Sequence, residues 1–184
     1  MYKYPDLELR KFAESDIPYK VGWVNDPANN QYLHYSLPYT QEMATAWYER
    51  TKDKKDQFNA TLLYRGQPVG TFGLLGINPK NSSAEYYALL GKVCEKGKGL
   101  GTRAGILMLC YAFYELGLHR IWVTIEVGNE PSLRCWKNMG GRVEGYINEY
   151  YRKGDRYADA YYGSILRQDF RLPEGLIPCE GGER

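Results

Sequence analysis

The residues best suited to chemistry in this chain form a run rich in glycine and lysine: Lys96-Gly97-Lys98-Gly99-Leu100-Gly101-Thr102. The run lies between a segment with strand character, residues 84–91, and a helical segment, residues 103–116. Glycines in a strand-to-helix turn let the backbone bend tightly and turn its N–H groups toward one point. The positive end of the following helix dipole falls at the same point. The run therefore predicts a cradle for a phosphate or pyrophosphate group.

The elements that must position this run predict an α/β or α+β fold. Segments that alternate or are rich in β-branched residues predict strands, and apolar residues at helical spacing predict helices. The predicted order is β-α-α-β-β-β-α-β-α-β-β, a mixed, mostly antiparallel twisted sheet flanked by helices. The predicted strands are residues 7–10, 58–64, 69–77, 84–91, 121–127, 143–151 and 157–166, and the predicted helices are residues 15–24, 40–52, 103–116 and 129–141.

Length and composition limit the class of protein. The 184 residues suffice for one domain, expected over residues 1–170 and followed by a loosely ordered tail, residues 171–184. A formal net charge of +2 is too small to indicate a nucleic-acid or membrane partner. The four cysteines lack metal or redox spacing, and two histidines argue against a histidine-based metal site. We expect a cytoplasmic protein with reduced thiols and no bound metal.

Three interpretations of the glycine-rich run are open from the residues alone. Gly99-Leu100-Gly101-Thr102-Arg103-Ala104 matches the dinucleotide-binding pattern G-x-G-x-x-A, after a strand and at the start of a helix. The hairpins predicted on both sides disfavour it, because that fold continues in parallel strand–helix units. A turn that binds nothing is the second interpretation, which the two interleaved lysines make weaker. The third is acyl transfer from a coenzyme A (CoA) thioester.

Two motifs in the same order and spacing favour the third interpretation. Lys96-Gly97-Lys98-Gly99-Leu100-Gly101 fits Gln/Arg-x-x-Gly-x-Gly/Ala except for the first residue. The segment 129–141, Asn-Glu-Pro-Ser-Leu-Arg-Cys-Trp-Lys-Asn-Met-Gly-Gly, follows Asn-x-x-Ser/Ala-x-x-x-Tyr. From about residue 7 to residue 170, the chain resembles the GNAT superfamily of acetyl-CoA-dependent N-acetyltransferases, in the branch of the ribosomal-protein and amino-sugar enzymes. The resemblance implies an acyltransferase with acetyl-CoA as its cosubstrate.

The resemblance also implies which residues bind CoA. The backbone amides of the run 97–102 would hold the pyrophosphate, with Lys96 and Lys98 adding positive charge. The preceding strand would pair with the pantetheine arm through Leu89, Leu90 and Gly91.

Three residues of the second motif are implied near the cofactor thiol. Asn129 and Ser132 resemble family contacts to the cofactor, although either residue is also an ordinary helix cap. Trp136 stands where many relatives carry a tyrosine that protonates the leaving thiolate. The indole N–H of Trp136 cannot serve as that acid, and we expect the ring to pack against the CoA arm.

An amine acceptor must lose a proton before it can attack, since a primary ammonium has a pKa of about 10. Glu126, near the end of the strand beside the cofactor strand, is the first candidate for the base. Glu85, on the cofactor strand itself, is the second. Each carboxylate alone is equally consistent with a solvent-facing strand residue.

The acceptor groove implied by the family lies between the loop of residues 29–39 and the last hairpin, and both are rich in tyrosine. Asn25, Tyr32 and His34 are the predicted acceptor contacts. The aromatic content suits a sugar face or a nucleobase better than a polyamine. The segments 23–27, 30–38, 73–77 and 84–87 are similar to acetyltransferases that act on nucleotide-linked amino sugars, so the resemblance implies a small-molecule amine of that kind. The N-terminus of a ribosomal or other protein is the alternative acceptor. A nicotinamide-dependent oxidoreductase and a CoA-binding module without catalysis are the alternatives from other classes, and a homodimer is compatible with the sequence.

Overall fold

The computed structural model describes residues 2–91, 97 and 99–178 of the chain. The strands are β1 (Tyr2–Lys3), β2 (Leu7–Lys11), β3 (Phe58–Tyr64), β4 (Gln67–Asn78), β5 (Ser83–Leu90), β6 (Arg120–Glu126), β7 (Arg142–Lys153), β8 (Arg156–Leu166) and β9 (Ile177–Pro178). The α-helices are α1 (Ile17–Asn25), α2 (Pro27–Asn30), α3 (Gln41–Thr51), α4 (Leu100–Cys110) and α5 (Glu130–Asn138).

One sheet of seven strands organises the molecule, in the order β2-β3-β4-β5-β6-β8-β7. The pair β5–β6 is parallel, and the other neighbouring pairs of this sheet are antiparallel. This arrangement confirms the mixed, mostly antiparallel sheet that the sequence predicts. The short strands β1 and β9 form a separate antiparallel pair, so part of the segment after residue 170 returns to the N-terminus.

The parallel pair β5–β6 is joined only at its beginning. Its register runs Ser83↔Arg120, Ala84↔Ile121 and Glu85↔Trp122, and no further partners follow although β5 continues to Leu90 and β6 to Glu126. The two strands therefore part toward their C-terminal ends. The backbone edge of β5 that faces β6 has no strand partner there among the described residues.

Helices cover both faces of the sheet. Helix α4 is apolar on nearly every side, and Leu107, Met108 and Leu109 are buried in the larger core cluster with residues of the central strands. Helices α1 and α3 contribute Trp23, Val24 and Ala44 to a second cluster, which also contains Leu89 of β5. Two independent cores thus fix β5 from opposite faces, which holds the opened strand end in place.

The segment after α4 departs from the predicted helix 103–116. A π-helical turn, Tyr111–Glu115, follows α4 directly, and Gly117 then adopts a positive φ of 67°. No helix within the described residues is both long and apolar enough to cross a membrane. Cys110 and Cys135 are free thiols, whereas Cys94 and Cys179 lie outside the described residues.

Candidate active site

The glycine-rich run forms the start of helix α4. Gly99 is the N-cap in the left-handed region, with φ of 72°, and Gly97 has φ of 82°. A residue with a Cβ is strained at such angles, which explains glycine at both positions. Gly99 brings no side chain to cap the helix, so an external anion can satisfy the first N–H groups.

The helix begins three residues earlier than the sequence predicts. Leu100, Gly101 and Thr102 belong to its first turn, because the left-handed Gly99 acts as the cap and Leu100 is buried at once in the core. The predicted cofactor residues Lys96 and Lys98 lie outside the described residues.

The C-terminal end of β5 is held in place by strand β4 and by residues of helices α1 and α2. The amide of Gly91 donates to the carbonyl of Val69 at 2.9 Å, and its carbonyl accepts from Asn29 Nδ2 at 2.8 Å. A Cβ on Gly91 would lie 2.0 Å from Trp23 Cγ, so only glycine allows this close approach. Leu89 is buried beneath the strand, and Leu90 is half-buried.

These features fit the expected cofactor. The unpaired edge of β5 offers backbone groups in an extended row, which suits an amide-bearing arm such as pantetheine. The N-terminus of α4, where Gly99 offers no side chain to cap the first N–H groups, suits a pyrophosphate. A thioester lying from that helix along β5 would reach toward the end of β6.

Helix α5 places the three residues of the second motif in different surroundings. Asn129 Oδ1 accepts from the amide of Ser132 at 3.2 Å, so the capping interaction is present, and the contact of either residue with the cofactor stays a prediction. Trp136 is only 1% exposed. Its ring stacks on Tyr86 at 6.0 Å between centroids, in the larger core cluster. Its contact with the CoA arm also stays a prediction.

Glu126 ends β6 at the point where the two central strands have parted. The residue is 7% exposed, and its Oε1 accepts from Lys153 Nζ at 2.7 Å. Its Oε2 is buried and has no hydrogen-bond partner among the described residues. The Nε2 atom of His34 lies 3.6 Å from Oε2, beyond hydrogen-bond distance. A buried carboxylate oxygen without a donor is costly and marks a place for one.

His34 is held beside Glu126 by a ring stack. Its imidazole lies on the phenol of Tyr151 with centroids 3.8 Å apart and planes 8° from parallel. Burial lowers the pKa of His34, the Glu126 carboxylate opposes that shift, and the Lys153 ammonium adds to it. The imidazole is therefore neutral at neutral pH.

Tyr151 connects this group to the second candidate carboxylate. The Tyr151 hydroxyl lies 2.7 Å from Thr124 Oγ1, which donates to Glu85 Oε1 at 3.4 Å. Burial raises the pKa of Glu85, and the hydrogen bond from Thr124 opposes the shift. The structure therefore brings Glu85, Glu126 and His34 into one connected group across the parted strands.

The loop of residues 29–39 lies over the same group, and two of the three predicted acceptor contacts belong to this loop. The Tyr32 hydroxyl donates to the carbonyl of Gly128 at 2.8 Å, which ties the loop to the turn after β6. Asn25 instead fixes the loop itself, since its amide group bonds both the carbonyl and the amide of Tyr39, at 2.7 and 2.9 Å. Tyr32 and His34 thus lie beside the turn after β6 and Glu126, whereas the amide of Asn25 is engaged by backbone, and the contact of all three with an acceptor stays a prediction.

Sequence reasoning did not single out Lys153, and it placed Tyr151 only among the tyrosines of the last hairpin, because an irregularity in β7 directs both side chains. Ile147 pairs with Ala160 and Tyr151 with Ala158, so β7 uses four steps where β8 uses two. Asp159 holds this bulge by accepting from the amide of Glu149, which has a positive φ of 51°, at 2.7 Å. Bulges redirect side chains in this way, and a period-two pattern alone does not reveal them.

Comparison with known proteins decides the family. The description of the matching family model is "Acetyltransferase (GNAT) domain", and the match covers residues 6–142. The chain belongs to the GNAT acetyltransferases. As a GNAT protein it is an N-acetyltransferase that uses acetyl-CoA. The match decides against the dinucleotide-binding interpretation of the glycine-rich run.

Individual GNAT relatives differ in acceptor. An uncharacterized N-acetyltransferase, p20 of Bacillus licheniformis, is 26% identical over 89% of this chain and 94% of its own. The spermidine N(1)-acetyltransferase of Escherichia coli (strain K12) is 25% identical over 94% and 91%. A putative ribosomal N-acetyltransferase of Bacillus subtilis, YdaF, is 32% identical over 60% of each chain.

Solved structures match the fold. The crystal structure of spermidine N-acetyltransferase from Vibrio cholerae in complex with CoA and spermine superposes with a TM-score of 0.81. It covers 89% of this chain and 97% of the other, at 22% sequence identity. At that identity the likeness establishes the GNAT fold and leaves the acceptor to be argued from the residues of this chain.

Proposed function

We propose that this enzyme acetylates the primary amine of a nucleotide-linked amino sugar, and that the amine binds at Glu126. The observation that carries the proposal is the buried Glu126 Oε2, which has no hydrogen-bond partner among the described residues. An acceptor ammonium supplies the missing donors and a compensating charge. Because Glu126 ends the strand next to the parted edge of β5, an amine bound there lies beside the proposed pantetheine channel.

Glu126 takes the proton that the acceptor ammonium must lose. Acetyl-CoA, when bound, supplies an acyl carbon activated by its thioester. The chain contributes orientation through the end of β5 and proton acceptance through a carboxylate. Glu85, with its raised pKa and its link through Thr124, is the second candidate base.

The walls of the acceptor end favour a sugar. The stacked rings of His34 and Tyr151 and the ring of Tyr32 offer apolar faces with polar edges, which suit a pyranose better than a flexible polycation. The tip of the β7–β8 hairpin carries Arg152 and Arg156 around the turn, against Asp155, in addition to Lys153, which is paired with Glu126. This excess of positive charge attracts a pyrophosphate and repels a polyamine.

Spermidine is a second candidate, and two observations favour it. A relative of nearly full-length coverage is a spermidine N(1)-acetyltransferase. Two carboxylates, Glu85 and Glu126, lie in the connected group, and such a pair also suits a polyamine. Lys153 on Glu126 weighs against this candidate because it already neutralises one carboxylate.

A panel of acceptors tests the proposal. Thiol release from acetyl-CoA is measured with a nucleotide-linked amino sugar, spermidine, and a peptide with a free N-terminal alanine or serine. We expect kcat/KM to be at least tenfold higher for the amino sugar, because its phosphates add a favourable contact with the hairpin tip. The advantage should shrink as salt is raised, since exposed charges are screened. A preference for spermidine or for the peptide would overturn the acceptor assignment.

Cofactor binding is checked separately by thermal shift. Acetyl-CoA and CoA should raise the melting temperature in proportion to the logarithm of their concentration, because they bind the native state alone. NAD and NADP should leave it unchanged.

A further inference from the structure

Lys153 carries a primary ammonium beside Glu126, the carboxylate to which the proposed function assigns the acceptor amine. Its Nζ lies 2.7 Å from Glu126 Oε1 and donates to the carbonyl of Gln31 at 2.8 Å. Nζ also lies 5.5 Å from the centroid of the Tyr32 ring, over the loop that closes the site. The chain therefore places its own amine in contact with the candidate base.

Another lysine–carboxylate pair in the described part of the chain has different surroundings. Lys52 pairs with Glu49 one helical turn away on α3, where the carboxylate is 52% exposed. Glu126, the partner of Lys153, is 7% exposed, and Lys153 itself is 35% exposed. Lys153 thus combines a buried carboxylate partner with a partly exposed side chain, and Lys52 provides a matched surface control.

We propose that Lys153 is a self-acetylation site. The inference rests on the proposed role of Glu126 as the base for an acceptor amine. Glu126 accepts one proton from the Lys153 ammonium, and the freed amine attacks the acetyl carbonyl of acetyl-CoA. A C–N bond forms, the C–S bond breaks, and CoA leaves as its thiol with the second proton of the nitrogen. The product is an amide on Lys153, and the first proton passes from Glu126 to solvent.

The modification changes the charge of the site. Acetylation removes the Lys153 cation, so Glu126 loses the ammonium that now neutralises it. An acceptor ammonium bound at Glu126 Oε2 and Lys153 at Oε1 share one carboxylate, which accepts one proton at a time, so the external acceptor and Lys153 compete for the same base. Self-acetylation is therefore fastest when acetyl-CoA is present without acceptor, and acceptor protects the lysine.

Mass spectrometry of the full-length protein tests the inference. The protein is incubated with acetyl-CoA alone, digested, and scored for one added acetyl group on Lys153 over time. We expect first-order modification whose rate constant does not depend on protein concentration, since the amine and the base belong to one chain. Glu126→Gln should slow it at least tenfold, and saturating acceptor should slow it similarly.

Two matched variants locate the acetyl group. Lys153→Arg keeps a cation but offers a guanidinium, which is not a nucleophile at this pH, and should lose this acetyl group. Lys52→Arg should leave the acetylation of Lys153 unchanged. An unmodified Lys153, or acetylation as slow as that of Lys52 and indifferent to Glu126→Gln, would overturn the inference.

The same variants separate this inference from the proposed function. Glu126-dependent turnover of an external acceptor with Lys153 unmodified would contradict self-acetylation alone. External turnover and Lys153 acetylation that are both indifferent to Glu126→Gln would contradict the role of Glu126 in the proposed function.

Discussion

Two lysines of this protein, Lys20 and Lys153, differ in the groups that surround their ammonium ions. Lys20 of α1 is 1% exposed, lies 3.9 Å from the centroid of the Trp47 ring, and donates to the Tyr35 hydroxyl at 3.1 Å. Lys153 at the hairpin tip is partly exposed and lies 2.7 Å from a buried carboxylate. One ammonium is surrounded by neutral aromatic groups, and the other contacts an anion.

The difference separates a lysine with a structural role from a lysine that is placed to react. Burial lowers the pKa of Lys20 to about 8. The π-faces around it stabilise the cation but cannot take its proton. A carboxylate can do both, so of these two lysines Lys153 alone has a neighbouring group that can accept its proton. Burial of an amine is thus not sufficient for reactivity, and the identity of the neighbouring group decides it.

Replacing the carboxylate should have the largest effect. Glu126→Gln gives Lys153 a neutral neighbour, as Lys20 has, and removes the proton acceptor from the acceptor site. We expect acetyl transfer to fall by about 10²- to 10⁴-fold, measured as thiol release across a range of pH. Glu85→Gln, the matched change on the neighbouring strand, should have a smaller effect. A larger loss in Glu85→Gln would transfer the role of base to that residue.

The same substitution at the two lysines should change stability in opposite directions. Lys20→Met removes a buried cation that has no carboxylate partner among the described residues. It should raise the free energy of unfolding at pH 7 by about 1–3 kcal/mol, the desolvation cost reduced by the lost cation–π contacts. Lys153→Met leaves Glu126 without its ammonium and should lower it by about 1 kcal/mol, since Lys153 is partly exposed. Denaturant unfolding of both variants checks the pair, and changes of the same sign would contradict the comparison.

The stability difference at Lys20 should depend on pH. The pKa is lowered from 10.5 in the unfolded chain to about 8 in the fold, so the unfolded state binds the extra proton between these values. Native stability therefore rises with pH across that window, and the cost of burial is fully present below pH 8. The advantage of Lys20→Met should accordingly shrink from pH 8 to pH 10.5. A constant advantage would show that Lys20 keeps an ordinary pKa.

The smallest effect is expected from a substitution that weakens the β7 bulge, which positions Lys153. Asp159→Asn keeps the size of the side chain but weakens its bond to the amide of Glu149. The bulge should loosen, with a several-fold rise in the acceptor KM and little change in kcat. Lys153 acetylation should slow in parallel. An unchanged KM would show that the bulge is held by other contacts.

Much of the fold could be predicted from the sequence because local patterns specify it. Strand β3 has the predicted bounds, and α1 and α3 begin and end within two residues of the expected positions. Capping residues and a period-two pattern are local signals, and the tertiary structure here agrees with them. The two-residue strands β1 and β9 are too short to give any periodicity, so their pairing could not be foreseen.

The two candidate carboxylates could be predicted from the sequence, but the lysine beside Glu126 could not, and the catalytic role of each carboxylate stays a prediction. Glu126 and Glu85 could be proposed from their positions on adjacent strands, because the order of the predicted elements resembles that of the GNAT superfamily. Lys153 reaches Glu126 only because β7 shifts register before Tyr151, and its charge resembles that of any hairpin turn. The contact between these distant residues depends on a bulge that adds two residues to β7. A hydrophobic pattern does not reveal such a bulge.

A crystal structure with CoA and a nucleotide-linked amino sugar distinguishes the two candidate bases. The acceptor nitrogen should lie within hydrogen-bond distance of Glu126 Oε2, the oxygen that has no hydrogen-bond partner among the described residues. An acceptor nitrogen bound at Glu85 would contradict the assignment of Glu126 as the base.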